Sequence, residues 1–138
     1  MSQEAIGKER WVVGAELPSL AKTLSQEKID RYARASGDFN LIHVDPAFAA
    51  QTPFGGTIAH GMLLLAYLSE MLTAAFGQAW LSGGRLKVRF KGAARPGDVV
   101  TVRGRVERVK GERGVCSVGC LNQQDGVLIA GEAEVGIS

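Results

Sequence analysis

The feature that most constrains the fold is an apolar run, MLLLAYLSEMLTAAFG, which begins at residue 62. Its hydrophobic residues cover nearly every side of a helical wheel, and such a helix has to be surrounded by other parts of the protein. The run is shorter than a membrane span and contains Glu70, so burial within a protein sheet is favoured. We therefore predict one helix over about 61–76, enclosed by an antiparallel sheet.

After residue 85 the hydrophobic period changes to two, which is typical of half-buried strands. Leu86, Val88 and Phe90 alternate with basic residues. Turns rich in glycine then separate three more alternating segments, at about 99–109, 113–122 and 127–136. With an early strand around 15–24, these segments predict an antiparallel meander.

Two shorter helices are predicted before the apolar run. Ser25 can cap a helix over 26–36 that stops at Gly37, and Asp45 can cap a short helix over 47–51 that follows a proline. The loop GDFNLIHV lies between them. One buried helix followed by antiparallel strands indicates an α+β architecture in which the sheet wraps around a long central helix. This arrangement is the hot-dog fold.

Length and composition limit the classes of function. The chain has 138 residues, of which 46% are hydrophobic and 22% are charged, so we expect one domain over 1–138. A net charge of +2 gives no indication of nucleic-acid binding. The N-terminus is charged where a signal peptide would be apolar, and no membrane span is present, so a cytoplasmic location is expected.

The two cysteines are predicted to be buried free thiols. Cys116 and Cys120 lie on one predicted strand, where four residues of separation place their Cα atoms roughly 13 Å apart. A disulfide spans only up to about 7 Å between Cα atoms, and a metal site would need further ligands nearby. We therefore predict no disulfide and no metal.

The loop 37–45 is the best candidate for a site, because it concentrates polar residues between two helices that fix its ends. It contains Asp38, Asn40, His43 and Asp45. The alternative is that Asp38 and Asn40 are turn residues, Asp45 is a helix cap and His43 is a structural histidine. Spacing alone leaves both interpretations open.

Two separated motifs resemble the MaoC-like dehydratases and the (R)-specific enoyl-CoA hydratases. The first is YARASGDFNLIHVDPAFA, which matches a signature of the form Gly-Asp-x-Asn-Pro-hydrophobic-His, and the second is FGGTIAHGMLLLAYLSEM. The resemblance covers about 32–72, and FKGAARPGD is similar to a later segment of the family. One departure is Leu41, which stands where the family usually has proline and can loosen the loop.

The resemblance implies the reversible hydration of a trans-2-enoyl thioester or dehydration of an (R)-3-hydroxyacyl thioester. Such an enzyme needs a base, an acid and a donor for the negative thioester oxygen. Asp38 and His43 are the implied acid–base pair, and the Gly61 amide at the helix start is the implied donor. The implied substrate-binding residues are Asn40, Met62 and Ser69. No metal or other cofactor is required, since coenzyme A or an acyl carrier protein enters with the substrate.

Several of these residues have structural alternatives. Gly61 also suits tight packing, and Ser69 can bond back to the Leu65 carbonyl. His60 is predicted to shape the turn or cap the helix rather than to catalyse. Basic residues alternate along the strand that begins at residue 85, and these are Arg85, Lys87, Arg89 and Lys91. They could bind coenzyme A phosphates or an acidic carrier protein, but a solvated outer face is favoured.

Two other functions compete with the hydratase. A hot-dog acyl thioesterase would use a carboxylate and a similar oxyanion site at a helix start, but would not need the Asp38–His43 pair. A non-catalytic acyl-binding subunit would support an active partner, but the presence of both Asp38 and His43 argues against it. The family resemblance also implies a homodimer or a higher even oligomer. Acyl chain length, carrier and pathway are not indicated by the sequence.

Overall fold

The computed structural model describes residues 11–137. The α-helices are α1 Gln26–Ser36, α2 Leu41–Val44, α3 Pro46–Ala50, α4 Gly61–Phe76 and α5 Gln78–Gly83. The strands are β1 Leu20–Thr23, β2 Arg85–Phe90, β3 Val99–Lys110, β4 Arg113–Leu121 and β5 Val127–Gly136.

Local capping chemistry sets the ends of the early helices. The Ser25 hydroxyl accepts a hydrogen bond from the Lys28 amide, and α1 ends at Gly37, whose φ of 81° is favourable for glycine. These are the predicted bounds. α3 has Pro46 at its first position after the Asp45 cap, as predicted, and ends one residue earlier than predicted, at Ala50; the Asp45 side chain accepts from the Phe48 amide.

The long helix α4 has the predicted bounds and lies against the sheet. Its deepest side chains are almost completely buried, and these are Leu64, Leu68, Met71 and Leu72. One stripe at four-residue spacing is nevertheless exposed, formed by Met62, Ala66, Glu70 and Ala74. The prediction that the sheet encloses every side of the helix was therefore too broad. Among residues 11–137, no helix is both long and apolar enough to cross a membrane.

The sheet is antiparallel, with strand order β1-β3-β4-β5-β2. The meander prediction is correct for β3, β4 and β5, but β2 pairs with β5 at the far edge and not with β3. This register sets Arg85 beside Glu134 and Lys87 beside Glu132, and opposite charges on neighbouring strands are favourable. The alternation of residues within one strand cannot reveal such a crossover, because it does not show which strands are neighbours in the sheet.

In β2 and in β3 as far as Val106, burial follows the predicted alternation with one exception. Val100, Val102 and Val106 are fully buried, whereas the predicted core residue Phe90 is 53% exposed. Phe90 ends the edge strand beside the start of α4, where no further strand covers it. The early strand is shorter than predicted, although Glu16 adds an isolated bridge to β3.

Both cysteines are free and buried, as predicted. Burial raises the pKa of each thiol from 9.0 to about 11, and Glu107 adds to the rise at Cys116. The folded protein therefore keeps these protons at a pH where an unfolded chain begins to lose them. Their contribution to stability is present below about pH 9 and is lost as the pH rises towards 11.

Candidate active site

The predicted loop between α1 and α3 contains a helical turn, α2, that shapes the site. Asn40 is its N-cap, and the side-chain oxygen accepts a hydrogen bond of 3.1 Å from the Ile42 amide. Two residues before Asn40, the Asp38 carboxylate accepts a hydrogen bond from the Asn40 backbone amide at 3.2 Å. The polar residues thus build a rigid turn, which places His43 in the last turn of α2.

The tautomer of the neutral His43 ring follows from its hydrogen bond. Its Nδ1 lies 2.8 Å from the carbonyl oxygen of Ile58. A carbonyl oxygen can only accept, so Nδ1 carries the hydrogen and Nε2 keeps a lone pair in the neutral ring. Nε2 faces the Asp38 carboxylate at 4.0 Å. The site therefore holds a base atom beside an acceptor carboxylate.

The separation between the two groups suits a shared ligand. A distance of 4.0 Å between His43 Nε2 and Asp38 Oδ2 is too long for a direct hydrogen bond. An oxygen atom placed between them can lie within hydrogen-bond reach of both. The His43 side chain is 12% exposed and that of Asp38 is 54% exposed, so the pair is accessible from the surface.

A second imidazole lies directly behind this pair. His60 is buried, its ring is stacked on that of His43 at 3.9 Å between centroids, and its Nε2 lies 3.0 Å from the Asp38 carbonyl oxygen. Its side chain makes no capping hydrogen bond to α4, although His60 occupies the N-cap position. The capping alternative is therefore wrong for the side chain.

The same three residues could in principle hold a metal ion, since Asp38, His43 and His60 have ligand atoms within 4.8 Å of one another. However, the two imidazole planes are inclined by only 24° and face each other. Each lone pair lies in its own ring plane, so one ion cannot meet both nitrogens without a ring turning. The stacked geometry does not fit a metal held by both histidines.

The start of α4 lies next to this cluster, because Gly61 follows His60 directly. Among residues 11–137, the Gly61 amide makes no hydrogen bond, as expected for the first residue of a helix. A Cβ built on Gly61 would lie 2.9 Å from Cε1 of Phe90, so the absence of a side chain lets the Phe90 ring pack against this helix start. A free N–H and the positive end of the helix dipole thus adjoin the pair.

The family is decided by the match of residues 12–125 to the model of the MaoC-like domain. The chain belongs to the MaoC-like domain family. It is 40% identical over 91 residues to 3-hydroxyacyl-thioester dehydratase Z of Mycobacterium tuberculosis, which covers 63% of this chain and 54% of that protein. The chain thus spans about half the length of that relative. It is also 32% identical over 122 residues to the (R)-specific enoyl-CoA hydratase of Aeromonas caviae, which covers 84% of this chain and 88% of that protein.

The MaoC-like domain also resembles solved structures of the same family. The unliganded R-hydratase from Pseudomonas aeruginosa superimposes with a TM-score of 0.84 at 27% identity, over 96% of this chain and 85% of that chain. The predicted hot-dog fold and the predicted family are confirmed.

The residues predicted to bind substrate in the MaoC-like domain lie in three different settings. Asn40 uses its oxygen as a helix cap, and Met62 is 55% exposed in the first turn of α4. Ser69 lies two turns further along α4, where its hydroxyl accepts a 3.0 Å hydrogen bond from Trp80 Nε1. This partner is neither the Leu65 carbonyl nor a ligand. The roles of all three in binding stay predictions.

Sequence reasoning missed two residues that hold the pair from behind. The side-chain Nε2 of Gln26 donates to the His43 carbonyl oxygen at 2.8 Å, and the Thr57 hydroxyl donates to Gln26 Oε1 at 2.6 Å. Gln26 is the first residue of α1, far from His43 in sequence. No local pattern indicates such a contact, since it depends on how α1 packs against α2.

The departure at Leu41 is compatible with the backbone of the MaoC-like domain. Leu41 is the first residue of α2, where proline is well tolerated. Asn40 has φ −53° and ψ 133°, which suits a residue before proline, and among residues 11–137 the Leu41 amide makes no hydrogen bond. The cap at Asn40 fixes the turn without help from proline.

We therefore predict that Leu41→Pro stabilises the protein by about 0.4–1 kcal/mol, because it reduces the entropy of the unfolded chain without straining the folded one. Thermal and denaturant unfolding measure this change. Leu41→Ala is the matched control, since it removes the same 47% exposed side chain without fixing φ. A Leu41→Pro protein less stable than Leu41→Ala would contradict the geometry.

Proposed function

We propose that this protein catalyses the reversible hydration of trans-2-enoyl thioesters and the dehydration of (R)-3-hydroxyacyl thioesters. The observation that carries the proposal is the position of His43 Nε2, which faces the Asp38 carboxylate at 4.0 Å while Nδ1 is bonded to the Ile58 carbonyl. The two relatives described above bear names from this reaction class. On this proposal the enzyme needs no cofactor of its own.

The proposed reaction assigns chemistry to each group. The oxygen of water forms a bond to Cβ of the enoyl group while the π electrons of the Cα=Cβ bond move onto the thioester oxygen. These electrons then form the new C–H bond when a proton is added at Cα. His43 Nε2 accepts a proton from that water, and Asp38 holds the water or takes part in delivering the proton to Cα. Dehydration is the reverse, so the pair exchanges one proton with substrate in each direction without net gain or loss.

The intermediate places negative charge on the thioester oxygen, which needs a donor. The free amide of Gly61 can supply one hydrogen bond, and the dipole of the 16-residue helix α4 favours the charge. The donor is part of the backbone and is already oriented. It therefore stabilises the anion without reorganisation during the reaction.

An assay of the purified protein with enoyl-CoA substrates of increasing chain length tests the proposal. Hydration removes the conjugated thioester absorbance without releasing thiol. Loss of absorbance with no free coenzyme A supports the hydratase, whereas thiol release would identify a thioesterase. Binding without either change would indicate the acyl-binding subunit. Parallel assays with the acyl carrier protein thioester distinguish the two carriers.

We also propose that the active form is a homodimer or a higher even oligomer. Large apolar side chains of the segment 39–62, which carries the pair and the start of α4, and of Phe90 beside Gly61 are 41–56% exposed in the single chain; these are Phe39, Leu41, Phe48, Phe54, Met62 and Phe90. Such exposure beside a site is costly in water and is expected where a partner covers the surface. A cover would also exclude solvent from the reaction.

Sedimentation of the wild-type protein at micromolar concentration is expected to show the dimer or a larger even species. Phe90→Ser should shift the distribution towards monomer, since Phe90 is 53% exposed at the end of the edge strand. Leu81→Ser is a matched control, because Leu81 is 65% exposed on α5 and is not among these side chains. A fully active wild-type monomer would reject the proposal.

A further inference from the structure

His60 contacts both members of the proposed pair, although it is not one of them. The residue is 2% exposed and lies behind Asp38 and His43, with a hydrogen-bond contact to the Asp38 carbonyl and a ring stacked on that of His43. The edge of its ring also meets Tyr32 of α1 at 4.8 Å between centroids. The imidazole is thus fixed from two sides.

The hydrogen bond determines which nitrogen of His60 carries the hydrogen. The partner of Nε2 is the Asp38 carbonyl oxygen, which can only accept, so Nε2–H is the donor. The neutral ring then has a bare Nδ1. His43 has the opposite pattern, with Nδ1–H bonded to Ile58. The only two histidines of the chain are therefore expected in opposite tautomers.

The buried Nδ1 of His60 indicates that packing alone does not explain this residue. Among residues 11–137, that atom has no hydrogen-bond partner. A buried acceptor without a donor destabilises a folded protein. A phenylalanine ring would fill a similar space and would carry no such atom. The feature that phenylalanine lacks is the Nε2–H donor to Asp38.

We propose that His60 is a positioning residue for the Asp38–His43 pair. Its Nε2–H fixes the peptide carbonyl of Asp38, and its ring fixes the plane of the His43 imidazole. The separation of 4.0 Å between the two reactive groups then depends on His60, which lies directly before the proposed oxyanion donor. The kinetic part of this inference rests on the proposed hydratase function, whereas the structural part does not.

Two substitutions separate the two contacts. His60→Phe keeps an aromatic ring against His43 and removes the donor to Asp38, whereas His60→Gln keeps an N–H donor and removes the ring. Each is expected to lower kcat by on the order of ten- to a hundredfold, since a misplacement of about 1 Å can cost a hundredfold. KM is expected to change by less than about threefold, because the substrate contacts are retained. His60→Phe should unfold at the same temperature as the wild type or higher.

Leu68→Met is the matched control, because it alters a fully buried side chain of α4, the helix that follows His60, without changing volume greatly. It should leave kcat near the wild-type value. If both His60 variants fold and keep kcat within about twofold, the positioning role is wrong. The same conclusion follows if kcat falls only in proportion to a loss of folded protein.

Nitrogen-15 NMR of the ligand-free protein tests the structural part without any activity. The wild type should show one ring with a bare Nδ1 and a second ring with a bare Nε2. In His60→Phe, the Phe39 amide resonance should shift, because the preceding Asp38 carbonyl loses its hydrogen bond. A wild-type His60 with Nδ1–H, or an unshifted Phe39 amide, would overturn the inference even if the protein proved not to be a hydratase.

Discussion

Asp38→Asn and His43→Gln are each expected to lower kcat for hydration of a short trans-2-enoyl-CoA by at least about a hundredfold, without unfolding the protein. A positioned acid or base contributes on the order of 10²–10⁴-fold to the rate. Asparagine removes the negative charge, and glutamine removes the bare nitrogen. Circular dichroism and thermal unfolding establish that each variant is folded.

Asp45→Asn is the matched control for the carboxylate, since it makes the same chemical change in the same part of the chain. Asp45 caps α3 through the Phe48 amide, and asparagine caps a helix about as well. This variant should keep near-wild-type turnover. Near-wild-type turnover in Asp38→Asn or His43→Gln would remove the proposed pair and favour the thioesterase or the binding subunit.

The double variant tests whether the two residues act as a unit. Both groups lie within reach of one oxygen atom placed between them, as their 4.0 Å separation shows. Once one group is lost, the other has no positioned water to act on. The double variant should therefore be little slower than either single variant. Losses that multiply would contradict a shared water.

Gly61→Ala is expected to lower kcat/KM by on the order of tenfold or more, because a displacement of the reacting carbonyl by about 1 Å can cost a hundredfold. The added Cβ would lie 2.9 Å from Phe90 Cε1, so either the ring or the bound thioester has to move. The fold is expected to be retained, because the Phe90 ring is 53% exposed and can shift away from the added Cβ. Steady-state kinetics and thermal unfolding measure the two effects separately.

Gly56→Ala provides the control for this experiment. A Cβ at Gly56 would meet nothing closer than an Arg95 side-chain nitrogen at 3.7 Å, which is ordinary contact. Gly56 lies in the segment before α4, and the added Cβ displaces nothing. The kcat/KM of Gly56→Ala should therefore stay near the wild-type value. Unchanged kinetics in Gly61→Ala would mean that the helix start does not approach the thioester.

Local patterns in the sequence were sufficient for much of the fold. The bounds of α1 and α4 follow from a serine cap, a glycine stop and helical periodicity, and these signals act within one or two turns. The exposure of Phe90 and the place of β2 beside β5 were not predicted. Both depend on which strands are neighbours, and alternation within a strand does not determine that.

The sequence by itself determined the candidate pair through the family resemblance of the motif that contains Asp38 and His43, since spacing alone left a structural interpretation open, and the second motif marked Gly61 as a helix start. Only the tertiary structure decided how these groups meet. The carbonyl of Ile58 selects the tautomer of His43, Gln26 holds its backbone, and His60 stacks on its ring. These contacts join residues 15 to 17 positions apart, so no local pattern encodes them. Hydrogen bonds and stacking between such residues form only when the chain has packed. For that reason the tautomer and the orientation of His43 could be inferred only from the folded protein.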